Sequence, residues 1–176
     1  MELAIQTEHL TKIYDERVIA VNDMTLSVPT GAVYGLLGPN GAGKTTTLRI
    51  LLGLQRPSAG FAKVFGHPCG PNATNVRAMI GYLPTHPVLP GHLCPIEYLE
   101  LRLTALLRAV GLLSATDRRI QTFSTGMRTR LGIAASLLAD PPLLIWDEPT
   151  AGLDPAARRF TLDLIRDLAK SRTIVV

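Results

Sequence analysis

One segment constrains this chain more than any other. Residues 38–45, Gly-Pro-Asn-Gly-Ala-Gly-Lys-Thr, fit the pattern G-x-x-x-x-G-K-[ST]. The apolar run Ala32–Leu37 before it predicts a strand buried on both faces of a parallel sheet, and Thr45–Leu54 after it predicts a helix. In a strand–loop–helix unit of this kind, glycines let backbone N–H groups approach a phosphate, and the helix N-terminus adds its positive dipole. The pattern therefore predicts a nucleotide-phosphate site in an α/β protein.

Each residue type in this loop has an expected task. Lys44 is expected to reach the β- and γ-phosphates, and the Thr45 hydroxyl is expected to ligate Mg²⁺. We predict that the loop residues around them also contact the nucleotide: Gly38, Pro39, Asn40, Gly41, Ala42, Gly43 and Thr46.

A second segment completes the predicted site. Leu143–Trp146 is an apolar run that predicts a buried strand, and Asp147 and Glu148 follow it directly. Taken alone, such a run also fits a solvated strand end. Together with the phosphate loop, Asp147 is expected to hold Mg²⁺ and Glu148 to polarise an attacking water. The two segments predict a magnesium-dependent nucleoside triphosphatase, with Glu148 as its catalytic residue.

The rest of the chain predicts alternating strands and helices, which is typical of an α/β domain. Expected strands are Leu3–Thr7, Val18–Val21, Asp23–Val28, Gly60–Phe65, Val76–Ile80 and Thr173–Val176. Expected helices are Ile96–Val110, Gly126–Ala139 and one from Asp154, as its N-cap, to about Lys170. We expect a smaller helical insert over about 86–124.

Composition narrows the function classes. The 176 residues are 47% hydrophobic and 18% charged, which fits one folded domain and excludes a disordered chain. Two cysteines predict reduced thiols rather than a disulfide framework. No charge-free apolar run is long enough to span a bilayer, so a membrane role is expected to come through a partner. The basic residues are scattered, so no nucleic-acid surface is expected.

Three further motifs give the chain a family resemblance. Phe123–Arg128 is similar to the signature motif of ABC-type ATPases, and Pro149–Asp154 is similar to their D-loop. The chain thus resembles an ABC nucleotide-binding domain over its whole length, and the stretch around Gly81–Pro84 resembles the drug and antibiotic exporter branch. The resemblance implies a P-loop NTPase core with an N-terminal antiparallel β subdomain and a shortened helical insert.

The resemblance also implies residue roles and partners. Tyr14 would stack on the adenine of ATP, with ordinary packing as the alternative. Ser124 and Gly126 would contact the ATP of a second copy in a head-to-tail dimer. Asp154 would communicate across that dimer or simply cap a helix. The family works with a separate transmembrane permease, which implies a location on the cytoplasmic face of the membrane.

The chain departs from the family pattern at several points. Thr85 stands where the family has the Q-loop glutamine, Thr125 replaces the first glycine of the signature, and the segment between Thr85 and Ser124 is short. All four histidines lie upstream of the family's switch histidine, so we expect a C-terminal part to be missing. We also expect Thr173–Val176 to present an exposed strand edge, and the chain alone to bind Mg-ATP weakly and hydrolyse it negligibly.

Three functions remain open at this point. The first is an ATP-hydrolysing subunit that drives an exporter. The second is a non-transport ABC ATPase acting on ribosomes or DNA, although such relatives usually carry tandem cassettes or a long coiled coil. The third is a degenerate module that binds ATP without significant hydrolysis.

Overall fold

The structure, a computed structural model, describes residues 2–15, 17–95 and 103–176. Its strands are β1 Leu3–Tyr14, β2 Val18–Pro29, β3 Val33–Tyr34, β4 Ala59–Val64, β5 His67–Pro68, β6 Ile80–Leu83, β7 Leu143–Trp146 and β8 Thr173–Val175. Its helices are α1 Lys44–Leu51, α2 Thr74–Ala78, α3 Leu103–Ala109, α4 Thr125–Ser136 and α5 Pro155–Leu168. Single 3₁₀ turns cover Leu113–Ala115 and Ile120–Thr122.

The N-terminal strands form an antiparallel sheet in the order β2-β1-β4-β5. The two strands predicted at Val18–Val21 and Asp23–Val28 are in fact one continuous strand, β2. Its pairing with β1 shifts register between Thr7 and Leu10, where His9 and Asp23 both adopt left-handed backbone conformations. The irregularity therefore bends a long hairpin instead of dividing β2 in two.

The second sheet is parallel in its ladders and has the order β3-β8-β7-β6. The expectation of an exposed edge at Thr173–Val176 is wrong. Strand β8 lies between β3 and β7, pairs with both, and is buried along its length. Its backbone groups are therefore used on both sides, which is the opposite of an open edge.

The strand predicted at Ala32–Leu37 is shorter and more exposed than expected. Only Val33 and Tyr34 form β3, Val33 is half exposed, and Leu37 is 91% exposed. The physical reason is position, since β3 is at the edge of the sheet in the described part of the chain. Apolar composition alone does not distinguish an edge strand from a central one.

The prediction of a strand at Val76–Ile80 is also wrong. Residues Thr74–Ala78 form α2, and β6 begins only at Ile80. Val76 lies in α2 and Ile80 in β6, and both side chains are buried in the same core. The two apolar β-branched residues therefore belong to two different elements, which a short apolar run cannot reveal.

Two hydrophobic cores lie on opposite faces of β7. Leu143 and Ile145 point into a core shared with α1 and the antiparallel sheet. Leu144 and Trp146 point into a second core formed with α4, α5 and the region after α3. The strand Leu143–Trp146 is therefore buried on both faces, as predicted.

The helical insert expected over about 86–124 is described in part. Of the helix predicted at Ile96–Val110, Leu103–Ala109 is helical and Gly111 ends it with a left-handed conformation, while 96–102 lie outside the described residues. The prediction that the insert over about 86–124 forms a separate helical part stays a prediction. Across the described ranges, no helix combines the length and hydrophobicity needed to cross a membrane.

Candidate functional site

The phosphate loop joins the edge strand β3 to the first residue of α1. Its shape depends on Gly43, which has φ 86° and precedes the helix. A Cβ at this position would overlap the carbonyl oxygen of Ala20 on β2. The requirement for glycine at Gly43 is therefore internal to the fold, in addition to the room for phosphate expected from the sequence. The Ala42 N–H donates to the Pro39 carbonyl at 3.1 Å, which closes a turn within the loop.

Lys44 directs its ammonium into the centre of this loop. Its Nζ donates to the Gly38 carbonyl at 2.7 Å and to the Pro39 carbonyl at 3.4 Å. Only 17% of its side chain is exposed. A cation enclosed by the loop and next to a helix N-terminus favours a phosphate group as ligand.

Thr45 and Asp147 meet although 102 residues separate them in sequence. The Thr45 hydroxyl donates to Asp147 Oδ2 at 3.0 Å, and the Asp147 N–H donates to the Leu83 carbonyl at 2.8 Å. Asp147 is buried at the end of β7. A hydroxyl and a carboxylate provide the oxygen ligands that Mg²⁺ prefers. Mg²⁺ is usually held by one or two protein groups together with phosphates of the substrate, and this pair fits that arrangement.

Glu148 turns away from the sheet directly after Asp147. Its φ of 51° is left-handed, a conformation that costs a non-glycine residue about 1–2 kcal/mol. Its Oε1 lies 3.5 Å from Lys44 Nζ, and 43% of its side chain is exposed. The predicted catalytic carboxylate is thus within reach of the phosphate-binding lysine and of solvent.

Tyr82, on the neighbouring strand β6, contributes a neutral group to this region. Burial raises its pKa, the Asp147 carboxylate raises it further, and Arg49 opposes the shift. The Tyr82 phenol, whose pKa is raised, therefore stays protonated at neutral pH.

A cavity of about 340 Å³ brings most of the predicted residues together. Its lining is Tyr14, Val18, Ala20, Pro39, Asn40, Gly41, Ala42, Gly43, Lys44, Thr45, Thr46 and Glu148. Gly38 lines an adjoining cavity of about 320 Å³ that also contains Asp147. Sequence reasoning missed Val18 and Ala20, for which the only signal was a β-branched run just after Tyr14.

Comparison with known proteins identifies this arrangement. The profile of the ABC transporter family matches residues 21–151, which contain the phosphate loop and the two carboxylates. The chain belongs to the ABC transporter family. It is 41% identical, over 98% of its length, to the daunorubicin/doxorubicin resistance ATP-binding protein DrrA of Streptomyces peucetius. It is 39% identical over its whole length to the bacitracin transport ATP-binding protein BcrA of Bacillus licheniformis.

The fold of this ABC domain agrees with solved structures. An ATP-binding subunit of an ABC transporter superposes with a TM-score of 0.85 at 30% identity, covering 98% of this chain and 78% of that one. The chain spans 56% of the length of DrrA and 61% of BcrA. These values confirm the predicted family and its P-loop NTPase fold.

The signature-like segment of this ABC domain lies apart from the cavity. Ser124 caps α4, its Oγ accepting from the Met127 N–H at 3.2 Å, and Gly126 lies in the first turn. Neither residue lines the two cavities at the phosphate loop. Thr125 is exposed at the first position of the helix, and Thr85 is half-buried after β6. Contact of Ser124 and Gly126 with nucleotide stays a prediction.

Asp154, in the D-loop-like segment, has a local role that the structure makes plain. Its Oδ1 accepts from the N–H groups of Ala156 at 3.0 Å and Ala157 at 2.9 Å, and Pro155 occupies the first helical position. The predicted N-cap is confirmed. Communication across a dimer stays a prediction.

Proposed function

We propose that this chain is the ATP-binding domain of an ABC exporter, which binds Mg-ATP and hydrolyses it in a head-to-tail dimer to drive transport through a separate membrane subunit. The observation that carries the proposal is the convergence at one cavity of the Lys44 ammonium, the Glu148 carboxylate and the Thr45 hydroxyl, which is hydrogen-bonded to Asp147. These are the groups that binding and cleaving a triphosphate requires.

Binding of the phosphates is the first step. The Lys44 ammonium now donates to loop carbonyls and faces Glu148, and phosphate oxygens are stronger acceptors than either neutral carbonyl. The residues Gly38 to Thr46 surround the phosphates from the backbone side. The N-terminus of α1 adds its favourable dipole.

Thr45 and Asp147 are the residues that would hold Mg²⁺. Their hydrogen bond at 3.0 Å already brings a hydroxyl and a carboxylate to one point. The bound ion would neutralise phosphate charge and fix the triphosphate geometry. The Leu83 carbonyl holds the backbone of Asp147 in place for this task.

Glu148 is proposed as the general base. Its half-exposed carboxylate lies on the cavity wall, where a water molecule has access from solvent. When phosphate oxygens replace Glu148 as the partner of Lys44, the Glu148 carboxylate becomes available to accept a proton from that water. The left-handed backbone at Glu148 directs its side chain to this wall and away from the buried strand.

Two further contacts with nucleotide are proposed, one with the adenine and one across a dimer. Tyr14 lines the same cavity as the phosphate loop, and its flat aromatic ring is suited to stacking on a flat base. Ser124 and Gly126 stand at the N-terminus of α4, away from the cavity of their own chain, which supports contact with the nucleotide of a second copy. The expected active assembly is therefore a homodimer with two nucleotides.

The names of the relatives support the direction of transport. One is a drug-resistance ATP-binding protein, one a bacitracin transport ATP-binding protein, and one a Nod factor export ATP-binding protein at 38% identity. We infer export as the direction and a transmembrane permease as the partner. That partner would hold the chain on the cytoplasmic face of the membrane.

Titration of the chain with Mg-ATP tests the binding proposal. Lys44→Ala should weaken ATP binding by about 10- to 100-fold, because a charged donor to the phosphates is worth about 1.5–3 kcal/mol. Lys170→Ala removes the same charge from an exposed site and serves as the control. Folding of both variants is checked by the fluorescence of Trp146. Equal affinity for ATP in folded Lys44→Ala and wild type would remove the phosphate-loop assignment.

Phosphate release tests Glu148. It is measured on a protein that extends this chain to the full length of its ABC relatives, because the chain alone is expected to hydrolyse Mg-ATP negligibly. Glu148→Gln should keep ATP binding but lose about 10²- to 10⁴-fold in rate, the usual contribution of a general base. The exposed Glu2→Gln makes the same charge change away from both cavities. Undiminished release by Glu148→Gln would show that another group is the base. ATP binding by wild type without any release would instead favour the binding-only module.

A further inference from the structure

The ring of Tyr14 is held by a residue from outside its own sheet. The Tyr14 hydroxyl donates to Gln55 Oε1 at 2.6 Å, across 41 residues of sequence. Gln55 lies shortly after α1, the helix whose first residues are Lys44 and Thr45. Tyr14 and the phosphate loop, which line the same cavity, are therefore also connected through α1 and the hydrogen bond from Tyr14 to Gln55.

The backbone near Gln55 has contacts with β1 other than the bond to Tyr14. The segment that carries it is attached to the end of β1 through Ser58, whose N–H donates to the Thr11 carbonyl at 2.8 Å. The Ile13 N–H in turn donates to Ser58 Oγ at 3.0 Å. These bonds hold the segment beside β1, which keeps Gln55 near the Tyr14 hydroxyl.

A second contact restricts the plane of the ring. Lys12 Nζ lies over the Tyr14 ring, 5.2 Å from its centroid, where a cation is attracted by the π electrons. Lys12 and Tyr14 are two residues apart on β1 and so lie on the same side of the strand. The hydroxyl contact with Gln55 and the contact of Lys12 with one face both restrict the orientation of the half-buried ring, which lines the cavity.

We propose that Gln55 is a positioning residue for nucleotide binding, which keeps the Tyr14 ring oriented for stacking on the base. This inference rests on the proposed function, in which Tyr14 contacts the adenine. A ring that is already ordered loses less conformational freedom when the base binds, so removal of the anchor should weaken ATP binding. Because Gln55 acts through the ring, binding of the phosphates alone should not change.

The test measures two ligands, Mg-ATP and Mg-tripolyphosphate, which has the phosphates without the base. Gln55→Met removes the acceptor at similar length, Tyr14→Phe removes the donor, and Gln55→Glu keeps an acceptor oxygen. Gln55→Met and Tyr14→Phe should each weaken ATP binding by about two- to tenfold, the range for ordering one side chain on binding. The double variant should bind ATP no more weakly than either single variant, and Gln55→Glu should bind it like wild type.

The results separate this inference from the proposal beneath it. Unchanged ATP affinity in Gln55→Met, or equal weakening of ATP and tripolyphosphate, would overturn the positioning role. Tyr14→Ala tests the base contact itself: if it weakens ATP while Gln55→Met does not, only the positioning role fails. If Tyr14→Ala leaves ATP affinity unchanged, the adenine contact fails and the positioning role with it. Gln121→Met, at an exposed glutamine, is the matched control.

Discussion

At the scale of single residues, the polar groups of the site already have hydrogen-bond or ion-pair partners within the protein. Lys44 donates to the Gly38 carbonyl and faces Glu148, while Thr45 donates to Asp147. Each polar group thus has a protein partner that a nucleotide or a metal ion can replace. Binding exchanges one set of hydrogen bonds for another, so affinity depends on the difference between the two sets.

The clearest prediction for a single residue concerns Cys69. Its thiol packs against the core between α1 and the antiparallel sheet, and burial raises its pKa from 9.0 to about 12. Alkylation requires the thiolate, so below pH 9 iodoacetamide should react about a thousand-fold more slowly with native Cys69 than with an ordinary thiol. A Cys94→Ser variant leaves Cys69 as the single thiol for this measurement.

The same shift fixes the sign of a pH effect on stability. Between pH 9 and about 12 the native state keeps its thiol proton while the unfolded state loses it, so the free energy of unfolding should fall as pH rises. Cys69→Ala should remove this part of the alkaline decline in urea denaturation. Rapid alkylation of the native protein, or identical alkaline profiles for both proteins, would contradict the buried-thiol account.

At the scale of elements, some features depend on the local sequence and others on which strands or helices pack alongside. The start of α5 was predictable because Asp154 and Pro155 act within one turn of their own helix. The loop between β3 and α1 was predictable for the same reason, since its pattern is continuous in sequence. The exposure of Ala32–Leu37 was not, because it depends on where β3 lies in the sheet.

The contact that sequence could not reveal is the one between Tyr14 and Gln55. A glutamine after a helix has no pattern of its own, and its partner is 41 residues away. Ser124 and Gly126 illustrate a different limit. Their motif was recognisable, but their predicted ligand belongs to a second copy of the chain, so contacts within one chain do not test it.

Asp154 gives the prediction for an element. Asp154→Ala should lower the free energy of unfolding by about 0.5–2 kcal/mol, because two N–H groups at the start of α5 lose their acceptor. Asp154→Asn keeps an acceptor oxygen and should stay close to wild type. Urea unfolding followed by the fluorescence of the single tryptophan measures both. If the two variants lose the same stability, the charge of Asp154 matters and the cap does not.

At the scale of the whole molecule, β7 joins two cores and ends at the site. Leu143 and Ile145 pack on one face and Leu144 and Trp146 on the other, and the strand then delivers Asp147 to Thr45. Damage to either core is therefore transmitted to the hydrogen-bonded pair of Thr45 and Asp147 through one strand. The buried indole N–H of Trp146 donates to Ser136 Oγ at 3.1 Å, the polar contact between β7 and α4.

That contact gives the prediction for the molecule as a whole. Ser136→Ala leaves the indole N–H without an acceptor in a buried place and should cost about 1–3 kcal/mol. In a Trp146→Phe background the same substitution should cost much less, since no donor is left unpaired. Urea unfolding followed by circular dichroism suits all four proteins of this cycle. Equal costs in the two backgrounds would show that the hydrogen bond contributes nothing.

The place of β8 has a consequence for the order in which the molecule is completed during synthesis. The turn before β3 and the start of β8 are joined by a hydrogen bond from the Gly31 N–H to Thr173 Oγ1, between residues 142 apart in sequence. Within the described residues β3 has no strand partner other than β8. During synthesis the phosphate loop therefore leaves the ribosome early. Strand β8, which pairs with the strand before this loop, leaves it late. In the interval β3 is open to non-native pairing, as expected for chains with such distant contacts.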